Sequence, residues 1–152
     1  MDKQQLIQNI KNLDKPGRDK TKKLIDLLGY TWGEPDNEKL SYDCYFIYKG
    51  RQYLVEIKDR KPEYEKYDEF ILEQDKYERI MKWKERLGAA GCYYINWFGN
   101  RCYIFNLEDD YIKNKPSKQW MNAVTAESTT NKIQKDIYLI DKTKAKTIIL
   151  EK

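Results

Sequence analysis

The chain of 152 residues contains no histidine. Imidazole is the side chain most often used for proton transfer near neutral pH. Its absence excludes Ser/His hydrolases and nucleases built on a catalytic histidine, and leaves such work to Asp, Glu, Lys, Tyr or water. Cysteine is scarce too: Cys44, Cys92 and Cys102 make an odd set without paired spacing. Lacking His and Cys pairs, the sequence argues against a zinc site. Three thiols inside strand-like runs read as core residues of a cytoplasmic protein, not as a disulfide framework. Long apolar runs are missing. None approaches the roughly 20 residues that cross a bilayer, and Met1-Asp2-Lys3-Gln4 opens a polar helix instead of a signal peptide. There is no internal repeat and no linker, so residues 1–152 suit one domain large enough for a real core.

Charge and aromatic rings are abundant. Charged residues make up 36% and the apolar set 40%, with 13 tyrosines and 4 tryptophans. Such rings fill a core while keeping a polar edge, and they also stack on bases. The net charge of +4 is uneven: from Tyr111 onward nine lysines face four acids, which leaves 20 basic against 21 acidic groups before it. That basic C-terminal third suits phosphate contact, and equally an ordinary solvated surface.

The stretch Ser41–Arg60 reads as a β-hairpin. Tyr, Phe, Ile and Val dominate two runs, Ser41–Tyr48 and Gln52–Lys58. Lys49-Gly50 between them supplies the tight turn. Alternation puts Asp43, Tyr45 and Ile47 on one face of the first strand, and Leu54, Glu56 and Lys58 on one face of the second. A two-residue turn pairs Tyr48 with Arg51, and counting back sets Asp43 opposite Glu56. Directly opposed residues have Cβ atoms roughly 4.5–5.5 Å apart. Two carboxylates that close repel, unless a hard divalent cation, which prefers their oxygens, lies between them.

Tyr42-Asp43 followed by a hairpin and Val55-Glu56-Ile57-Lys58 resembles the motif of the PD-(D/E)XK nuclease superfamily, with Tyr42 in the proline position. The resemblance covers roughly residues 17–107. It implies an α+β, α/β/α-like restriction-endonuclease-like core, ordered helix, hairpin, helix, hairpin around a mixed central sheet, with residues 108–152 as a C-terminal strand extension. The chain resembles small phage and bacterial members. The implied activity is Mg²⁺- or Mn²⁺-dependent endonucleolytic hydrolysis of a nucleic acid, with DNA the expected substrate. Asp43, Glu56 and the Ile57 carbonyl would hold the metal, and Lys58 would position or activate water. A homodimer is the usual way for such enzymes to cut two strands.

The rest of the chain fits around this motif. Asp2–Leu13 and Arg18–Leu28 read as two helices broken at Lys15-Pro16-Gly17, with Leu6, Ile10 and Leu13 as the apolar stripe of the first. The superfamily often carries an acid on the helix before the Asp strand. The matching place is Thr21, near Asp19 and Asp26, so none is assigned. Glu34 and Glu38 lie in the loop before the hairpin, within possible reach of a metal. The segment after the hairpin, Asp59–Asp68, is too charged for core, and its Arg60 and Lys61 are candidate phosphate contacts. Glu69–Leu87 reads as the longest helix, with Glu73, Lys76, Tyr77, Ile80, Lys84 and Leu87 on one stripe. The resemblance gives Glu73 and Lys76 a supporting place in the site, with Gln74 next as a nucleic-acid contact. As an alternative, Glu73 and Lys76 form only an intrahelical ion pair. Gly91–Phe98 and Arg101–Leu107 form a second hairpin about Gly99-Asn100. Glu108–Asn131 reads as a loop where Trp120, Met121 and Val124 pack, and Asp136–Ile140 with Thr147–Leu150 as a final hairpin. Two other classes stay open: a catalytically silent nucleic-acid-binding module, and a protein-interaction module such as a small viral factor.

Overall fold

The computed structural model of the chain describes residues 2–35, 42–109, 116–122 and 132–151, with the backbone alone for most of 3–14, for 116–122 and for 132–134. Glu38 and Val124 lie outside the described residues, as do the side chains of Leu6, Ile10, Leu13, Trp120 and Met121.

The first element is one helix, α1 (Lys3–Leu27), and not two. An interior proline removes a hydrogen bond and costs about 3 kcal/mol, yet α1 runs through Pro16. Packing holds it. Leu24 and Ile25 are buried, Gly17 lies against Ile57 and Asp59, and the Trp97 indole donates to Thr21 Oγ1 at 2.9 Å. Thr21, in the place where the superfamily often carries an acid, therefore serves the core.

The strands β1 (Thr31–Gly33), β2 (Cys44–Tyr48) and β3 (Arg51–Arg60) begin the larger sheet. The β2–β3 hairpin has the expected register, Tyr48 opposite Arg51 through Cys44 opposite Val55. Its turn has positive φ at both positions, Lys49 at 52° and Gly50 at 74°, which matches the right-handed strand twist. A short 3₁₀ turn (Pro62–Lys66) follows β3.

Residues 69–73 depart from the sequence reading. They form a strand, β4 (Glu69–Glu73), and the helix α2 starts only at Gln74 and runs to Leu87. Glu-Phe-Ile-Leu-Glu contains good helix formers, but its burial alternates: Phe70 and Leu72 are buried and Glu69 is exposed. That period of two suits a strand once a partner exists, and the partner is distant in sequence: β8 (Lys132–Asp141). Within α2 only Tyr77 and Ile80 of the expected stripe are buried, while Leu87 is exposed.

After α2 come β5 (Gly91–Phe98), β6 (Arg101–Asn106), β7 (Pro116–Asn122), β8 and β9 (Lys146–Ile149). The large sheet has the order β1-β2-β3-β5-β6-β9, and a small sheet the order β4-β8-β7. The final hairpin expected from the sequence is absent among the described residues. A 3₁₀ turn (Lys142–Lys144) separates β8, in the small sheet, from β9, which pairs with β6 at the edge of the large one. β7 also places a strand where a loop was expected.

β3 and β5 run parallel. A parallel pair needs a crossover, and here β4 and α2 make it. One face of the large sheet packs on α1 through Leu24, Ile25, Val55, Ile95 and Trp97. The other packs on α2 and the small sheet through Leu54, Phe70, Leu72, Ile80, Tyr94 and Phe105. All three cysteines are buried free thiols, and burial pushes Cys92 and Cys102 up to about 12. Among the described residues no helix is long and apolar enough to cross a membrane.

The close approach of α1 to β3 gives a test of this packing. A Cβ on Gly17 would meet Ile57 Cγ2 at 3.1 Å and Asp59 Cβ at 3.3 Å. Gly17→Val should destabilise the protein by about 1–3 kcal/mol through overpacking, read as a lowered midpoint in thermal or urea unfolding. An unchanged midpoint would show that α1 is not seated tightly on β3.

Candidate active site

The side chains of interest sit where the β2–β3 hairpin leaves its ladder. Asp43 lies one residue before the last pair, Cys44–Val55, so continuing the register sets it opposite Glu56. Its backbone N–H donates to the Val55 carbonyl at 2.9 Å, and its Oδ2 accepts from the Ile57 N–H at 2.7 Å. These two bonds fix the carboxylate at the end of the strand. Cys44 and Val55 face α1, so Asp43 and Glu56 share the opposite face, with Leu54 and Lys58.

Glu56 is a strained acid. Its side chain is 12% exposed. Burial first, then the Asp43 charge, push its carboxyl well above the usual value of 4.5, against the opposing charges of Lys76 and Lys58. Asp43 and Glu56 are within hydrogen-bonding reach of each other. Two carboxyls bond directly only by sharing a proton.

The crossover delivers the next groups. Lys76, in the first turn of α2, brings Nζ to 3.7 Å from Glu56 Oε1. Burial alone would lower its pKa, but Glu56, with Tyr94, Glu73 and Asp43, outweighs burial and raises it. Lys58 is different. Burial, then the neighbouring charges of Lys76 and Arg60, push its ammonium down, with Glu56 and Glu73 opposing. Among the described residues Lys58 Nζ makes no hydrogen bond or ion pair. Glu73 is the N-cap residue of α2 and not part of its stripe. It pairs with Lys135 of β8 at 3.3 Å, not with Lys76 in an intrahelical bridge. A cleft of about 300 Å³ opens beside it, lined by Glu73, Gln74, Asp75, Glu78, Lys135 and Asp136.

Asp43, Glu56, Lys58, Lys76 and Glu73 therefore act on one another electrostatically across three elements. Of the proposed nucleic-acid contacts, Arg60 acts on this group through its charge on Lys58, and Gln74 and Lys61 lie apart from it. Gln74 bonds Glu78 on the exposed side of α2, and Lys61 is exposed before the 3₁₀ turn. Arg60 turns inward, to Asn96, Tyr94 and the Ile71 carbonyl, because its strand position puts it on the buried face. Glu34 is close enough to Cys44 to raise its thiol's pKa. Lys135 and Asn96 were not singled out from the sequence. Asn96 had a signal, a polar residue inside the apolar strand Gly91–Phe98. Lys135 had none, since its partner strand is far away in the chain.

A divalent ion fits this donor set in part. Two carboxyl groups share one face here, and oxygen is what Mg²⁺ and Mn²⁺ prefer. Among the described residues no three acidic, Cys or His side chains converge on one point. An ion here would complete its shell with backbone carbonyl and water, as Mg²⁺ commonly does.

No family model matches the chain, and no curated protein matches it. Among solved structures it is similar to Hjc, a Holliday junction resolvase from the archaeal hyperthermophile Archaeoglobus fulgidus. The TM-score is 0.51 and the identity 15%, over 84% of this chain and 85% of that one. At that identity the likeness is one of fold: a mixed central sheet flanked by helices, of the restriction-endonuclease-like type.

Proposed function

We propose that the protein is a metal-dependent endonuclease that hydrolyses phosphodiester bonds, with DNA as its substrate. The observation that carries the reading is the convergence of Asp43 and Glu56 on one face, with a half-buried Lys58, unpaired among the described residues, two residues along the same strand as Glu56. The fold shared with a Holliday junction resolvase supports it.

Asp43, Glu56 and the Ile57 carbonyl would hold Mg²⁺ or Mn²⁺. Bound there, the ion supplies Lewis-acid neutralisation of phosphoryl charge and favours deprotonation of water. Asp43 is held in place by the Ile57 N–H, and the proton it shares with Glu56 would leave as the cation bound. Lys58, pushed down by burial and by the charges of Lys76 and Arg60, has no ion-pair partner among the described residues, so it can orient water and donate to a developing phosphorane oxygen. Lys76 limits the repulsion between Glu56 and Asp43 when the site is empty of cation. Glu73, held by Lys135, stands as an auxiliary acid at the start of α2. Two such sites in a homodimer would cut both strands of a duplex.

The test is incubation of the purified protein with supercoiled plasmid, single-stranded DNA and a synthetic four-way junction, with Mg²⁺ or Mn²⁺. Cleavage of at least one is expected, abolished by EDTA and reduced by roughly 10²-fold or more in Asp43→Asn. Equal cleavage by Asp43→Asn, or none by the wild type with either ion, would overturn the reading.

A further inference from the structure

The sequence offers Arg60 as a phosphate contact, but its Nε and one terminal nitrogen are bonded inside the protein. Nε donates to Asn96 Oδ1 at 2.6 Å. One terminal nitrogen donates to the Ile71 carbonyl at 2.8 Å and to the Tyr94 hydroxyl at 3.0 Å. The Tyr94 hydroxyl in turn donates to the same Ile71 carbonyl at 2.8 Å. Asn96 and Tyr94 lie on β5, Ile71 on β4. The fork therefore joins the large sheet to the small one at a single carbonyl. That carbonyl is two residues before Glu73 and five before Lys76, while Arg60 is two residues beyond Lys58 on β3.

We infer that Arg60 is a positioning residue, which sets the distance between the strand carrying Glu56 and Lys58 and the β4–α2 junction carrying Glu73 and Lys76. This rests on the proposed nuclease site. The physical basis is the planar fork. Only arginine offers donors at fixed angles to three acceptors at once, and a lysine ammonium on a flexible stem cannot satisfy the same set. The neighbours are otherwise ill-suited to hold β4 by themselves. Asn96 is fully buried and, among the described residues, its Nδ2 has no hydrogen-bond partner, while its oxygen accepts from Arg60 in a place where polar atoms are costly to bury. The small sheet otherwise meets the large one through side-chain packing, Phe70 and Leu72 from β4 with Tyr138 and Ile140 from β8, which sets burial more than register.

The experiment compares wild type, Arg60→Lys and Arg60→Met, with Tyr94→Phe as a milder variant should Arg60→Met not fold. Hydrogen exchange at β4 and in the first turn of α2 is read in the metal-free protein. Single-turnover cleavage and DNA affinity against salt are read alongside. Positioning predicts faster exchange in β4 for both arginine variants, a cleavage step slowed about 10- to 100-fold by misplaced groups, and an unchanged salt slope of DNA binding. Tyr94→Phe should show the same pattern, smaller. Phosphate contact predicts the reverse: protection kept in β4, Arg60→Lys near wild type, and a salt slope reduced by about one in Arg60→Met. That result would overturn the inference. Should the wild type cleave nothing, the nuclease reading falls by itself, and β4 protection in Arg60→Lys still decides whether the fork holds the two sheets together.

Discussion

Lys58→Met should lower metal-dependent cleavage by roughly 10²–10³-fold or more while leaving the melting temperature equal or higher. The two halves of this expectation come from the same geometry. The ammonium sits two residues past Glu56, half-buried, with no direct partner among the described residues. Burial and the charges of Lys76 and Arg60 press its pKa down. Such a group contributes little to folding, so an isosteric apolar stem in its place loses no ion pair and relieves desolvation. A lysine in so unfavourable a setting fits the role proposed for it in the chemistry. Single-turnover rates and thermal melts check it. Cleavage within about tenfold of wild type would remove Lys58 from the chemistry.

Glu56→Gln should end cleavage and, in metal-free protein at neutral pH, raise stability by about 1–3 kcal/mol. The folded-state pKa of Glu56 lies above its ordinary value of 4.5, because of burial and then Asp43. A group raised in this way favours the folded state only while protonated. Its contribution is present below the unfolded value and is lost as pH rises through the folded one. At pH 7 the wild type therefore bears the penalty of a crowded carboxylate and the glutamine variant does not. The gap between their melting temperatures should be wide at pH 7 and close as pH falls towards 4.5. Mn²⁺ should stabilise the wild type, by about 2.7 kcal/mol at a hundredfold excess over its dissociation constant, and leave the variant unmoved. A variant less stable than wild type at pH 7 would mean that the fold welcomes the Glu56 charge, and the account of the acid pair would be wrong.

The hairpin was legible because its signals are local. Two residues in a tight turn leave one register, and strand alternation then decides which side chains share a face. The shared face of Asp43, Glu56 and Lys58 followed from that, while their roles rest on the resemblance. The elements misread were those whose identity depends on remote partners. Glu69–Glu73 has helix-forming composition, and only β8, some 65 residues further on, makes it a strand. Lys15-Pro16-Gly17 looks like a break, and only the contact of Gly17 with β3 makes an unbroken helix worthwhile. Arg60 looked like a surface cation because its segment is charged. Its parity on β3 was the better guide, since it shares the face of Glu56 and Lys58 and meets β5 there.

The Glu73–Lys135 pair also bears on how the protein comes into being. Asp43, Glu56, Lys58 and Lys76 leave the ribosome early, but β4 has its strand partner, and Glu73 its cation, only when residues 132–141 have followed. Domains fold as units once enough chain has emerged. A nascent chain stalled before β8 would thus carry every acid of the proposed centre without the small sheet beside it, and on the proposed reading would cut no nucleic acid until synthesis passed that strand.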